Sequence, residues 1–236
     1  LGVHIFGHPY EADKIKKICT KHRIKMIEDC AQSFGASISN KQTGTFGDIG
    51  CFSFFPTKNL GCAGDGGMLI TDNTQIANKA RMLRNHGGIQ RNVHNLVGYN
   101  SRLDEIQAVV LLEKLKLITK LNNNRIKIAR EYSKSINNKK IVTPLNLTNS
   151  KHIYHQYTLI VDSRAKFANY LTKNNIPFGI YYPKPAYMQP AVKGKIRNLT
   201  RLEITERVCK KCISIPMFPE ITKKELEKII NVINDY

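Results

Sequence analysis

Four side chains in the first half of the chain are of types that do chemistry and lie where a fold could gather them: Asp29, Gln32, Ser53 and Lys58. Lys58 offers an amine, which when neutral is both a nucleophile and a base. It follows the apolar run Ile49 to Phe55 through the pair Pro56-Thr57, and Gly61, Gly64, Gly66 and Gly67 come after it. Glycines at such a place permit close backbone approach. Ser53 lies in that run, and Asp29 ends an earlier one, three residues before Gln32. An amine can condense with a carbonyl, a carboxylate can face a cation and a hydroxyl can donate to an anion. Taken singly, Lys58 would read as a surface lysine and Asp29 as a turn residue at a strand end. The combination carries the reading.

The elements that must position these groups alternate between short apolar strands and helices, the pattern of an α/β domain. Leu1 to Phe6 reads as a strand ending in a turn at Gly7-His8-Pro9, and Glu11 to Thr20 as a short basic helix. Ile24 to Ile27 reads as a strand with Glu28-Asp29 at its C-terminal end, the end at which open α/β sheets bind ligands. Ile49 to Phe55 and Met68 to Thr71 read as further strands. Asp72, with Gln75 three residues on, predicts the cap of a helix that stops at Gly87-Gly88. Ser101 and Asp104 predict a capping box on a long helix carrying Leu103, Ile106, Val110, Leu111, Leu115 and Ile118. That would place Asn100 at a helix N-terminus, where free amides and the dipole favour an anion; a plain turn leading into the helix is the alternative.

From Asn122 the pattern changes to a second basic helix with Ile126, Ala129, Tyr132 and Ile136 on one face, then a polar loop from Asn137 to Lys151. A strand from Ile153 to Val161, a helix from Ala165 to Asn174, a strand from Ile176 to Tyr182 and a Pro-rich loop from Tyr181 to Pro190 are expected next. A helix around Glu203 to Cys212 and a last one from Thr222, boxed by Glu225, close the chain. These patterns predict a large α/β domain over residues 1–120 and a smaller α+β domain over residues 121–236.

Composition narrows the function classes. With 236 residues and 42% hydrophobic content the chain can bury a core. It has no apolar run near the ~20 residues a membrane-spanning helix needs, so no membrane partner is expected. Lys+Arg 37 against Asp+Glu 18 gives a formal +19, which suits phosphate-rich ligands. The lysines are spread over helix surfaces without an RNA-binding signature, so no nucleic-acid partner is expected either. Cys209 and Cys212 form a CxxC without a second ligand pair near it, which argues for packing thiols and no metal. A reduced, cytoplasmic protein is the expectation.

The segments CFSFFPTKNLGCAGDGG (residues 51–67), IEDCAQSFGA (27–36) and GYNSRLDEIQA (98–108) together resemble the DegT/DnrJ/EryC1/StrS family of sugar aminotransferases, which use pyridoxal phosphate. The likeness continues through HQYTLIV (155–161), YYPKPAYMQP (181–190) and ISIPMFP (213–219). The resemblance implies the aspartate-aminotransferase-like type I fold, a large mixed-sheet domain with a smaller C-terminal α+β domain, working as a homodimer with shared active sites. It implies that Lys58 holds the cofactor and moves the proton, that Asp29 faces the pyridine nitrogen, and that Ser53 donates to the phosphate. Gln32 would lie by the ring or its 3-hydroxyl, and Asn100 would reach the neighbouring subunit's cofactor phosphate. Arg102 matches an arginine that meets a sugar carboxylate from the neighbouring subunit. Tyr181 stands where many relatives acting on 3-oxo uronic acid sugars place a histidine, and Tyr182 beside it is a further candidate substrate contact.

The implied reaction moves an amino group from glutamate to a nucleotide-diphospho keto sugar, in surface-polysaccharide or glycan precursor synthesis. The likeness of GCAGDGG favours a 3-keto sugar. The chain begins on Leu1 rather than Met, and the family's opening segment, with its phosphate-binding turn and a residue that stacks on the ring, has no counterpart. Further N-terminal sequence is therefore expected. A sister branch that removes a sugar hydroxyl has a histidine in place of the lysine, and Lys58 argues against it. A catalytically silent paralogue or fragment that acts only as a partner subunit, and a basic nucleic-acid-binding protein, are the other competing readings.

Overall fold

Parallel strands need long crossovers between them, and the first part of the chain supplies these with one helix and one small hairpin. The computed structural model describes residues 1–192, 195–196 and 202–236. It falls into two units, residues 1–123 with 146–155 and residues 124–145 with 156–236.

In the first unit, β1 (Gly2–Val3) leads through α1 (Ala12–Lys21) to β2 (Ile27–Asp29), and β2 leads through the hairpin β3 (Ser37–Ile38) and β4 (Lys41–Gln42) to β5 (Ile49–Ser53). The next strand, β6 (Gly67–Ile70), turns back along β5. The sheet order is β1-β2-β5-β6, with the first three strands parallel and β6 antiparallel. Val3, Asp29 and Cys51 stand in register across it. Ala12, Met26 and Phe46 form a buried cluster under Tyr10, Cys19 and Ile38.

The expected strand over Leu1 to Phe6 is only β1. Phe6 takes a left-handed conformation (φ 60°) in a 3-10 turn over Ile5–Gly7, which ends the strand. The strand expected over Ile24 to Ile27 instead runs from Ile27 through Asp29, so the acidic pair lies in the ladder rather than after it. Helix α2 (Thr74–Arg84) is capped by Asn73, whose side chain accepts from the Ile76 amide at 3.0 Å, and not by Asp72. It ends at Arg84, three residues before Gly87. Helix α3 (Glu105–Ser135) is one continuous rod of 31 residues where a capping box at Ser101 and two separate helices were expected. Asn100 is bridged to Asn85 and the Ser101 amide is tied to the Arg84 carbonyl, which holds this stretch extended; the first helical carbonyl is that of Asp104. Asn122 does not interrupt the helix because its buried amide is satisfied by Asn59 and by the Phe34 carbonyl. Of the expected α3 stripe, Leu111 and Ile118 pack on Phe54, Leu60 and Cys62, with Leu103 against the cluster, whereas Ile106 and Leu115 are exposed.

Beyond α3 come β7 (Ile141–Val142), β8 (Ser150–Lys151) and β9 (Tyr157–Val161). The middle one of these pairs with β3 in the first unit. The second unit continues with α4 (Arg164–Lys173), α5 (Glu203–Lys211), β10 (Cys212–Ile215) and α6 (Lys223–Asn234). Its sheet is antiparallel, in the order β10-β9-β7, over a core that includes Tyr132, Tyr157, Leu159, Phe167, Ile213 and Ile233. The strand expected from Ile153 begins only at Tyr157, since the Ile153 amide bonds to the Gly7 carbonyl and Tyr154 is left-handed (φ 47°). The strand expected over Ile176 to Tyr182 is a single bridge between Gly179 and Ser214. Cys212 opens β10 instead of ending α5. The box of Thr222 and Glu225 on α6 is formed. Among the described residues, no helix is long and apolar enough to cross a membrane, and neither Cys209 nor Cys212 joins a group of three possible metal ligands.

Candidate active site

The parallel strands deliver their C-terminal ends to one edge of the sheet, and Asp29 and Ser53 are the last residues of β2 and β5. The Asp29 carboxylate accepts from the Ala31 amide at 3.0 Å, while its carbonyl accepts from the His4 amide at 3.0 Å. Past Ser53 the chain tightens into a turn in which the Lys58 amide bonds to the Phe55 carbonyl at 2.9 Å. Ser53, Phe55, Lys58, Asp65, Ser101 and Arg102 line a cavity of about 600 Å³ together with Gly66, Gly67 and Leu103. Such a volume lies within the ~300–1,000 Å³ of small-molecule sites.

Burial pushes the Lys58 ammonium below its ordinary pKa, and the Asp29 charge opposes that shift. The two side chains are therefore electrostatically coupled, although Asp29 is not part of the cavity lining. A lysine so placed carries more neutral amine at a given pH than one in water, which favours nucleophilic and basic roles.

The loop bearing Lys58 is held from several sides. The Phe54 amide bonds to the Gly66 carbonyl at 2.7 Å and the Cys62 amide to the Phe54 carbonyl at 2.8 Å, closing the loop on itself. Gln107 of α3 accepts from the Ala63 amide at 2.8 Å. Gly66 has no room for a side chain, since a Cβ there would meet Cys62 Sγ at 2.9 Å and Leu103 Cδ1 at 3.1 Å. Asn59, next to the lysine, donates to Asn122 at 2.7 Å and to the Ile153 carbonyl at 3.3 Å, and its oxygen meets His155 Nδ1 at 3.2 Å. Asn59→Ala is expected to cost about 1–3 kcal/mol, read as a lower midpoint in urea unfolding; an unchanged midpoint would remove Asn59 from this role.

The structure thus brings Ser53, Lys58 and Arg102 to one cavity and couples Asp29 to it. Gln32 sits elsewhere on that edge, with its Oε1 accepting from the Phe6 amide at 2.6 Å and so holding the turn after β1. Asn100 is exposed and extended, five residues before α3 begins, so it does not stand at the helix N-terminus expected for it. The Arg102 guanidinium donates to Asn85 Oδ1 at 3.1 Å. Tyr181 and Tyr182 belong to the second unit, where both rings are partly exposed and their carbonyls face the buried Cys212 thiol.

Two polar groups of the cavity, Asp65 and Ser101, escaped the sequence reading. Asp65 lies among the glycines of the GCAGDGG segment and Ser101 carries the local signature of a helix cap, so neither signals a cavity from its sequence neighbours alone. A larger omission is the buried pair of His4 and Glu28. The Glu28 carboxylate is fully enclosed; it meets His4 Nε2 at 2.9 Å and accepts from the amides of Gly44 at 2.9 Å, Phe46 at 2.7 Å and Gly47 at 2.6 Å. Burial pushes its pKa up, but the hydrogen bonds from His4, Gly47 and Gly44 outweigh that and hold it below the ordinary value. Its position next to Asp29 was the only sequence signal.

Residues 1–234 match the family model of the DegT/DnrJ/EryC1/StrS aminotransferase family, and the chain belongs to that family. It is 38% identical over 233 residues to the UDP-N-acetyl-3-dehydro-alpha-D-glucosamine 3-aminotransferase of Acidithiobacillus ferrooxidans, an alignment covering 99% of this chain and 63% of that one. Its fold superposes with a TM-score of 0.93 on a DegT DnrJ EryC1 StrS aminotransferase from Brucella abortus, at 34% identity over 99% of this chain and 62% of the other. Superposition on NtdA of Bacillus subtilis, solved with its cofactor PMP bound, gives a TM-score of 0.84 at 28% identity, covering 98% of this chain and 54% of the other. The expected α/β fold is therefore the family's own. The chain spans less than two thirds of the length of the curated relatives it matches.

Proposed function

We propose that this chain carries the cofactor site of a pyridoxal-phosphate-dependent aminotransferase that moves an amino group from glutamate to a nucleotide-diphospho 3-keto sugar. The observation that carries the reading is Lys58, depressed in pKa by burial, on a cavity shared with Ser53 and coupled to the Asp29 charge. The donor set fits the cofactor. Lys58 would hold its aldehyde, Asp29 would keep its ring nitrogen protonated, and Ser53 would donate to its phosphate. Bound pyridoxal phosphate supplies an aldehyde that amines condense with and a ring that takes up the electron pair left when a proton departs the neighbouring carbon.

The chain's own part in the reaction is positioning and proton transfer. Lys58 Nζ would take a proton from the amino donor's carbon and hand it on to the cofactor; its lowered pKa favours the neutral amine that this needs. The backbone bonds of the Phe54–Gly66 loop keep Lys58 from drifting out of reach.

The 3-keto preference is supported by the likeness to the Acidithiobacillus enzyme, whose name specifies a 3-dehydro sugar. A homodimer with shared sites fits the exposed placement of Asn100, which would serve a neighbouring subunit's phosphate. Gln32 beside the ring, and Arg102, Tyr181 and Tyr182 as substrate contacts, complete the assignment. Six free cysteines support a reducing, cytoplasmic setting. An amino sugar on a nucleotide carrier is a precursor suited to polysaccharide assembly.

The test is the visible absorbance of the purified chain with pyridoxal phosphate, followed by glutamate. A yellow band that borohydride fixes to Lys58, and that glutamate bleaches, is expected. No band, or one fixed to another lysine, would overturn the reading and favour a silent partner subunit.

A further inference from the structure

Helix α2 carries Asn78, Arg81 and Arg84 at three-residue steps, which places them on one face. With Asn85 and Arg102 they line a second cavity, of about 300 Å³, closed by Gly88 and Ile89. Three arginines thus line one small space. None of the three makes a salt bridge to a carboxylate among the described residues. Two of them are instead steered by neutral amides: Arg81 donates to Asn78 at 3.2 Å and Arg102 to Asn85 at 3.1 Å, and Asn85 is itself held by the Gly88 carbonyl at 3.2 Å. Like charges gathered in this way repel unless an anion joins them. Arginine forks are also the groups that grip phosphate oxygens in pairs.

Arg102 lines this cavity and the Lys58 cavity alike, so the two adjoin. We propose that the cavity of Arg81, Arg84 and Arg102 binds the diphosphate of a nucleotide-linked substrate while the sugar lies toward Lys58. This rests on the reading of Lys58 as an aminotransferase lysine acting on a nucleotide sugar. In such a substrate the diphosphate is bonded directly to the sugar, which is the adjacency the two cavities offer. Arg102 then touches the ligand at the junction, and Arg81 and Arg84 hold its charged end.

The experiment is calorimetric titration of the full chain, loaded with pyridoxal phosphate and reduced, using UDP, pyrophosphate and inorganic phosphate as separate probes. In Arg81→Gln/Arg84→Gln the affinities for UDP and pyrophosphate are expected to fall roughly 10- to 100-fold. Arg81→Lys/Arg84→Lys, which keeps the charge without the fork, should fall between that variant and the parent. Both pairs lie on an exposed helix face, and cofactor fixation on Lys58 should be unchanged in each. UDP affinity unchanged in the glutamine variant, or inorganic phosphate bound as tightly as pyrophosphate, would overturn the diphosphate assignment. Loss of cofactor fixation with UDP binding intact would overturn it too, by assigning the arginines to the cofactor's own phosphate. If the parent chain binds UDP in this way but never fixes the cofactor, it is the aminotransferase reading that fails.

Discussion

Lys58→Ala protein mixed with pyridoxal phosphate and reduced with borohydride is expected to carry no cofactor on residue 58, and amino transfer should vanish. Lost proton transfer alone accounts for about 10²–10⁴-fold, and loss of covalent capture adds to it. Lys58→Arg should behave alike, because a guanidinium keeps the charge but offers no neutral amine at working pH. The second readout is stability. Burial disfavours the Lys58 ammonium, so the residue costs the folded state something at neutral pH, and the alanine variant should melt at the same temperature or higher. Activity lost with stability kept is the signature of a functional lysine. Turnover persisting in Lys58→Ala would end the mechanism, and a sharply lower melting temperature would make Lys58 a structural residue.

Glu28→Ala is expected to produce the largest stability loss, about 3–5 kcal/mol. That is a large share of the ~5–15 kcal/mol that holds a domain folded. The reason is that one carboxylate satisfies His4 and the amides of Gly44, Phe46 and Gly47, all within 2.9 Å; alanine strands each of them in a dry interior. Glu28→Gln preserves the volume but removes the charge that these donors share. The pH dependence follows from the sign of the shift. The folded pKa of Glu28 lies below its ordinary value of 4.5, so its contribution is fully present above that value and is lost as pH falls through the folded one. Urea midpoints measured from neutral pH downward should fall through that window in the parent and stay flatter in Glu28→Gln. Equal slopes for the two would show that the carboxylate contributes no charge-dependent stability. Asp29 is the next residue on the same strand, so the consequence reaches the site: surviving Glu28 variants should take up pyridoxal phosphate more weakly.

The sequence by itself determined the elements whose signals are local. The period of α1, α4 and α6, the apolar run of β5, the glycines after Lys58 and the box of Thr222 with Glu225 are written in residues within a turn of one another, and short-range sterics and hydrogen bonds decide them. The motif around Lys58 was equally local, and it sufficed to point to the family. Tertiary structure decided what distant partners control. The start of α3 moved to Glu105 because Asn100 and Ser101 are tied to the end of α2, and its middle ran unbroken because Asn122 found partners at Asn59 and Phe34, 63 and 88 residues away. The Ile176–Tyr182 segment had a strand's composition but gained only one bridge, at Gly179. The Glu28 network, the hub at Asn59 and the gathering of Arg81, Arg84 and Arg102 were invisible for the same reason. A buried polar group or a cluster of like charges acquires its meaning from neighbours that only the folded chain supplies.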